Sequence, residues 1–210
     1  MPDLGTLALF AAAALALCAT PGPDMLLIAS RSVSQGKASG FATLAGIQVG
    51  TYFHALAAAL GLAQLFLFVP VAYDIVRYAG AAYLLYLAWQ QFRSSGAVPA
   101  PAAGTSRHSI GTVFRQGLVT NLLNPKMALF VLALFPQFVD PAAGSVALQV
   151  MVLATVLNLI GILVNGAVIL MASGLGQAFS RRTRFRRLPQ LLLGTVFAGL
   201  AVRLVADGRH

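Results

Sequence analysis

Thr20-Pro21-Gly22-Pro23-Asp24-Met25 and Asn121-Leu122-Leu123-Asn124-Pro125-Lys126-Met127 each interrupt a long apolar run. A proline inside a helix removes one backbone hydrogen bond and clashes with the preceding turn. In lipid a freed carbonyl needs another partner, so such a break survives only against protein or a wet cavity. Both stretches also carry helix-start signals: Thr20 or Asn124 as N-cap, then proline at the first helical position. Each is expected to join two half-helices, the second restarting inside the membrane.

A membrane setting follows from what surrounds the breaks. The chain has 210 residues, 59% apolar and 9% charged, with a mean hydropathy of +0.83. Soluble domains carry roughly 25% charged residues, and this composition could not wet a soluble surface. Runs long enough to cross the hydrocarbon as helices number six, at about 4–30, 41–68, 71–92, 112–137, 143–172 and 188–206. Asp3, with no preceding Lys or Arg, argues against a cleaved signal, so the first run reads as a retained span. Ser94-Ser95-Gly96, Pro99, Pro101 and Gly104 mark 94–110 as a linker between halves 1–93 and 111–210. The single cysteine, Cys18, excludes a disulfide framework, a cysteine-ligated metal site and a dithiol relay.

The net charge of +9 has a topological explanation. Arg31 and Lys37 follow span one, Arg93, Arg107 and Arg115 flank the linker, and Arg181, Arg182, Arg184, Arg186 and Arg187 follow span five. The intervening loops hold only Arg77 with Asp74, and Asp140 alone. Cytoplasmic loops collect Lys and Arg, so both termini are expected outside, with loops 1–2, 3–4 and 5–6 cytoplasmic. The arginine cluster then reads as a topology determinant touching anionic lipid, and no nucleic-acid partner is expected.

The two breaks correspond. A shift of 102 residues lays Pro23-Asp24-Met25 on Pro125-Lys126-Met127. With three spans per half, the second half enters the membrane inverted. Interrupted segments at corresponding positions of two halves point to a transporter's binding site. Asp24 and Lys126 are nearly the only charges within the spans, and each costs on the order of 3 kcal/mol at a helix centre. Opposite in sign, they are expected to face one central cavity, paired with each other or through a zwitterionic ligand whose ammonium meets Asp24 and whose carboxylate meets Lys126. Half-helix N-termini favour a carboxylate as well. Purely structural pairing is the alternative.

Other polar residues follow helical spacing. Gln48, Thr51 and His54 lie in span two, and Thr155, Asn158 and Asn165 in span five. Positions 48, 51 and 55 share a face, as do 155, 158 and 162; interhelical hydrogen bonding is the ordinary use of such residues. His54 is the lone histidine in a span and a candidate for proton coupling beside Asp24, with packing as its alternative. Gly46 and Gly50 form a GxxxG pair that permits close helix packing, compatible with a homodimer without implying one. Tyr73, Tyr78, Tyr83, Tyr86 and Trp89 suit interfacial aromatic belts.

Pro21-Gly22-Pro23-Asp24 through Arg31-Ser32, Gly36, Gly40 and Gly46 resembles the N-terminal signature of the lysine exporter and homoserine/threonine exporter (LysE/RhtB) family. Gly80-Ala81-Ala82-Tyr83-Leu84-Leu85-Tyr86-Leu87-Ala88-Trp89, Phe114-Arg115-Gln116-Gly117, Asn121, Asn124-Pro125-Lys126 and Phe135-Pro136-Gln137-Phe138 match later family segments in order. The resemblance covers roughly residues 5 to 205. It implies a six-helix, all-α exporter of amino acids in the bacterial inner membrane, driven by an ion gradient with the proton as expected coupling ion. Substrate-site residues carried over are Asp24, Asn124, Pro125 and Lys126. The reading of the breaks and polar faces adds Pro21, Gly22, Pro23, Asn121, Gln48 and Asn158.

No cofactor, metal or catalytic residue is expected. The spans offer one histidine and one carboxylate where a metal site wants several, and no Gly-x-Ser-x-Gly nucleophile stretch occurs. The rival to an exporter is a passive facilitator, because paired Asn-Pro half-helices also occur in water channels. Two buried opposite charges favour ligand capture over free flow.

Overall fold

The computed structural model describes residues 2–68 and 108–174, together with residues 78, 81–82, 85–86, 88–89, 92–93, 195, 198–199 and 201–202. Among the described residues the protein is all helical, with no strand. Predicted spans 71–92 and 188–206 lie outside the described residues apart from those positions. So do most of the 94–110 linker and the arginines at 181–187.

Helix α1, Leu4–Ala19, opens on Asp3, whose carboxylate accepts from the Thr6 amide at 2.9 Å. Helix α2 spans Pro23–Gln35 and meets α1 at a bend of 56°. Thr20 was the expected N-cap here, and the structure corrects that. Thr20 closes α1, its N–H and hydroxyl both bonding back to the Ala16 carbonyl, and Gly22 is the N-cap of α2. The reason is the double proline. A residue before proline is pushed toward extended backbone, so Thr20 and Gly22 are both extended and the helix restarts only at Pro23. Gly36, at a φ of 87° that favours glycine, then turns the chain into α3, Lys37–Phe68.

The second break is a near copy. Helix α4, Ile110–Leu122, and α5, Pro125–Leu134 with its 3₁₀ extension Phe135–Phe138, meet at 52°. Here the expected cap holds: the Asn124 side chain accepts from the Lys126 amide at 3.0 Å, with Pro125 at the first helical position. Helix α6, Val146–Gly174, completes the described part. Lys37–Gly61 and Val146–Ser173 are each long and apolar enough to cross a membrane, and each bent pair is a further candidate span.

Helix α3 is the hub, packing on α2, α4 and α6, while α1 lies against α6. Its contact with α4 is a seam of small residues. A Cβ on Gly46 would strike the Phe114 carbonyl, and one on Gly117 would strike the Thr43 carbonyl. The GxxxG pair is thus used inside one chain, where it lets two backbones touch. Gly50 carries the seam onward, leaving room for Asn121.

Two apolar clusters flank the middle of the protein. In one, the Phe10 ring sits 5.4 Å from Phe135 and 5.2 Å from Phe138, edge to face, and 6.3 Å from Phe130. The other is smaller: Ile28, Leu44, Ile47 and Ile169. Between them, Leu17 and Leu157 of the first cluster and Ile47 of the second line a common cavity.

Candidate functional site

The prolines that break the helices leave specific carbonyls without their usual donors. In an α-helix the carbonyl of residue i accepts from the N–H of residue i+4. Pro21 has no N–H for Leu17, and Pro125 has none for Asn121. Each carbonyl keeps a backbone donor three residues on, the Thr20 N–H for Leu17 at 3.2 Å and the Asn124 N–H for Asn121 at 3.0 Å, and each is also capped by a side chain from far along the chain. The Lys126 ammonium donates to the Leu17 carbonyl at 2.8 Å and to the Thr20 carbonyl at 2.7 Å. His54 Nε2 lies 3.0 Å from the Asn121 carbonyl, a bond it donates with its proton on Nε2. A cation at the C-terminal end of α1 also meets the negative end of that helix's dipole.

Asn121 connects the second break to the first. Fully buried, it donates from Nδ2 to Asp24 Oδ2 at 2.8 Å while its carbonyl faces His54. The hydrogen bonds linking His54 to Asp24 therefore run through Asn121. Asp24 Oδ1 and Asn121 Oδ1 are buried without a hydrogen-bond partner among the described residues. Gln48 and Asn158 form a reciprocal pair. Gln48 Nε2 donates to the Asn158 carbonyl at 2.6 Å, and Asn158 Nδ2 donates to the Gln48 carbonyl at 3.2 Å.

The cavity measures about 50 Å³ and draws on both breaks and both long helices. Of the predicted site residues, Gly22, Asp24, Gln48, Asn124, Lys126 and Asn158 line it. Pro21, Pro23, Asn121, Pro125 and His54 are not in its wall; the prolines shape the breaks, and Asn121 and His54 stand behind Asp24 through the bonds just given. A water occupies roughly 10–15 Å³ by this kind of measure, and a dry cavity of about 150 Å³ takes benzene. The cavity thus holds a few waters. A whole amino acid requires the helices around it to part.

The predicted face 155, 158, 162 does not hold together. Asn158 points inward, while Thr155 and Ile162 are exposed; Thr155 Oγ1 meets the Tyr52 hydroxyl at 3.2 Å. The inward face of α6 runs through Leu157, Asn158, Gly161 and Asn165. Sequence reasoning missed the apolar lining residues Leu17, Ile47 and Leu157, and also Cys18, Thr51, Gly161 and Asn165. Asn165 was visible as a polar residue in a span, one helical face along from Asn158 and Gly161. Cys18 and Gly161 carry no signal without the packing: the side chains of Cys18 and Gln48 both come within 4 Å of a Cβ built on Gly161.

The family model described as LysE type translocator matches residues 15–208. An uncharacterized membrane protein of Pseudomonas aeruginosa is 34% identical over 191 residues, covering 88% of this chain and 87% of its own. Leucine efflux proteins of Salmonella choleraesuis and Salmonella typhimurium are each 30% identical over 184 residues, with the same coverage. No solved structure matches the chain.

Proposed function

Because the chain belongs to the LysE type translocator family, we propose that it exports a neutral amino acid with an aliphatic side chain across the bacterial inner membrane, by alternating access. Membership makes it a multi-pass membrane translocator rather than an enzyme. The observation that carries the substrate reading is the cavity wall. Among the described residues it has one carboxylate, Asp24, with an oxygen that has no hydrogen-bond partner, and one ammonium, Lys126. The rest is neutral, including Leu17, Met25, Ile47, Met127 and Leu157. A zwitterion needs one partner of each sign, and an uncharged aliphatic side chain suits the remainder. The leucine efflux relatives fit that class.

In this reading the substrate ammonium meets Asp24 Oδ1. Its carboxylate meets Lys126 and the first turn of α2, which has no side-chain cap. The carboxylate then competes with the Leu17 and Thr20 carbonyls for Lys126. Occupancy thereby loosens the tie between the two broken helices, which couples binding to their relative motion. The phenylalanine cluster around Phe10 serves as the outer closure, and the thinner Ile28–Leu44–Ile47–Ile169 cluster as the inner one. Protonation of Asp24 releases the ammonium outward and couples export to inward proton flow. His54 holds Asn121, which in turn holds Asp24.

The architecture proposed is six membrane helices in two inverted three-helix repeats, 1–93 and 111–210, joined by the cytoplasmic linker 94–110. Both termini lie outside, with loops 1–2, 3–4 and 5–6 cytoplasmic. The nearly equal bends of 56° and 52° support the repeat, and the distribution of basic residues supports the orientation.

Export from cells overproducing the chain tests the function, with amino acids quantified inside and outside against Lys126→Ala at equal expression. Accumulation of leucine or a similar aliphatic amino acid outside with the parent alone supports the reading. Movement only down a gradient would make the chain a passive facilitator. No movement of any amino acid removes this substrate class.

A further inference from the structure

We infer that Arg31 forms a second anion site, which takes the carboxylate of the amino acid at the cytoplasmic approach before the central cavity does. This rests on the export reading for the identity of the anion. Arg31 is 7% exposed, yet its guanidinium has one acceptor: Nη2 donates to Gln116 Oε1 of α4 at 2.7 Å. Its Nε and Nη1 are buried with no partner among the described residues. A buried guanidinium is ordinarily matched by a carboxylate or phosphate, to which it presents two parallel N–H groups. Here the acceptor is a neutral amide, and Nη1, which forms the end-on fork with Nη2, is left over, as is Nε on the side edge. The arrangement is a receptor short of one oxyanion.

Position gives that anion a role. Asp24, Ile28 and Arg31 follow one another at four and three residues along α2, so they share a helical face. Arg31 thus stands about 10 Å along the helix from Asp24. Ile28, between them, belongs to the aliphatic cluster whose Ile47 also lines the cavity. The order from the end of α2 is therefore a guanidinium, an aliphatic plug, then the cavity with its ammonium. A carboxylate passing inward moves from one buried cation to the next without losing a partner for its charge. Among the described residues Arg31 has a neutral amide as its acceptor, which it can exchange for the substrate carboxylate.

The test uses the purified full chain in detergent, with Lys126→Ala as background so that the central cation is silent. Probes are 4-methylpentanoate, which is leucine without its ammonium, and 4-methylpentanamide, which lacks the carboxylate charge as well. The carboxylate probe should raise the unfolding temperature of Lys126→Ala, and its uncharged amide should not. Adding Arg31→Gln should remove the response. Gln116→Glu decides the matter should Arg31→Gln fail to fold, because it keeps the arginine and supplies a built-in carboxylate. That variant should unfold at a higher temperature without ligand and no longer respond to the probe. On an intact Lys126, Gln116→Glu should raise the half-saturation constant for L-leucine at the cytoplasmic face by at least about tenfold, with the maximal rate little changed. A probe response that survives both substitutions overturns the site. An Arg31-dependent response to phosphatidylglycerol vesicles, with none to the carboxylate, identifies a lipid phosphate as occupant and overturns the entry role. If the parent moves no leucine, the export reading falls, while the unfolding measurements still decide whether Arg31 binds a carboxylate.

Discussion

The ammonium of Lys126, one residue into the second broken helix, donates to the carbonyl of Leu17 at the end of the first, at 2.8 Å and across 109 residues of sequence. Asn121, just before the second break, reaches Asp24, just after the first, at 2.8 Å. Each break is therefore completed by the other. A proline in lipid leaves a carbonyl that something must satisfy, and here the satisfying groups also line or support the cavity. Stability of the broken helices and chemistry of the site are carried by the same few atoms.

Removing the Lys126 side chain should consequently affect both. Lys126→Ala strips a donor from two carbonyls, each loss costing about 1–3 kcal/mol where no water replaces it. The expected outcome is a lower unfolding temperature in detergent together with loss of export at matched expression. Lys126→Arg keeps the charge but replaces a compact ammonium with a planar fork, so it should recover more of the stability than of the transport. Equal recovery of both would count against separate structural and binding roles for the ammonium.

Asp24→Asn keeps an oxygen that can accept from Asn121 Nδ2, so the fold should be retained. In the proposed mechanism it loses the charge that meets the substrate ammonium and the proton that couples export to the gradient. Vesicles loaded with leucine should show gradient-driven export reduced about tenfold or more, the scale of a lost hydrogen bond to a charged group. Full gradient-driven export by Asp24→Asn would sink the coupling role of that carboxylate.

The small-residue seam makes a sharp contrast among glycines. Gly46→Ala and Gly117→Ala each drive a methyl into backbone of the facing helix, so α3 and α4 must separate, at a cost of about 1–3 kcal/mol. Separation also draws Asn121 away from Asp24 and His54. Gly61→Ala has nothing among the described residues within 4 Å of the added carbon, and should be neutral or slightly stabilising, since alanine is favoured over glycine in a helix by about 1 kcal/mol. Thermal unfolding of the three variants side by side checks this. Comparable losses at all three positions would rule out the close-contact account.

His54 offers a test of position against proton transfer. His54→Gln preserves an N–H donor of similar reach for the Asn121 carbonyl, whereas His54→Ala leaves that carbonyl with the Asn124 N–H alone at 3.0 Å, a loss of about 0.5–1.5 kcal/mol. If His54 acts by holding Asn121, the glutamine variant should keep most of the export and its pH profile, and the alanine variant should lose both export and stability. Equal loss of proton-coupled export in both, with stability kept in the glutamine variant, would assign the imidazole a proton-carrying role.

The breaks at Pro21, Pro23 and Pro125, the charges at Asp24 and Lys126, and the membrane setting were all legible in the sequence. Composition and the chemistry of proline determine them residue by residue. Helix restart was legible at Asn124 and misread at Thr20, because two prolines in three residues push the restart past the threonine. The GxxxG pair announced a close contact, yet only the facing Gly117 identified its partner as α4 of the same chain. The unmatched guanidinium of Arg31 was read as a topology signal alone, since nothing local tells a buried arginine from an exposed one.

By itself, then, the sequence determined where helices must fail, which charges must avoid lipid, and to which family the chain belongs. Tertiary structure alone decided which carbonyl each cation would cap, that Asn121 would tie one break to the other, and that Gly161 and Cys18 would help wall the cavity. Local propensity acts over about one helical turn, whereas those contacts span about a hundred residues and exist only once the backbones of α3 and α4 touch.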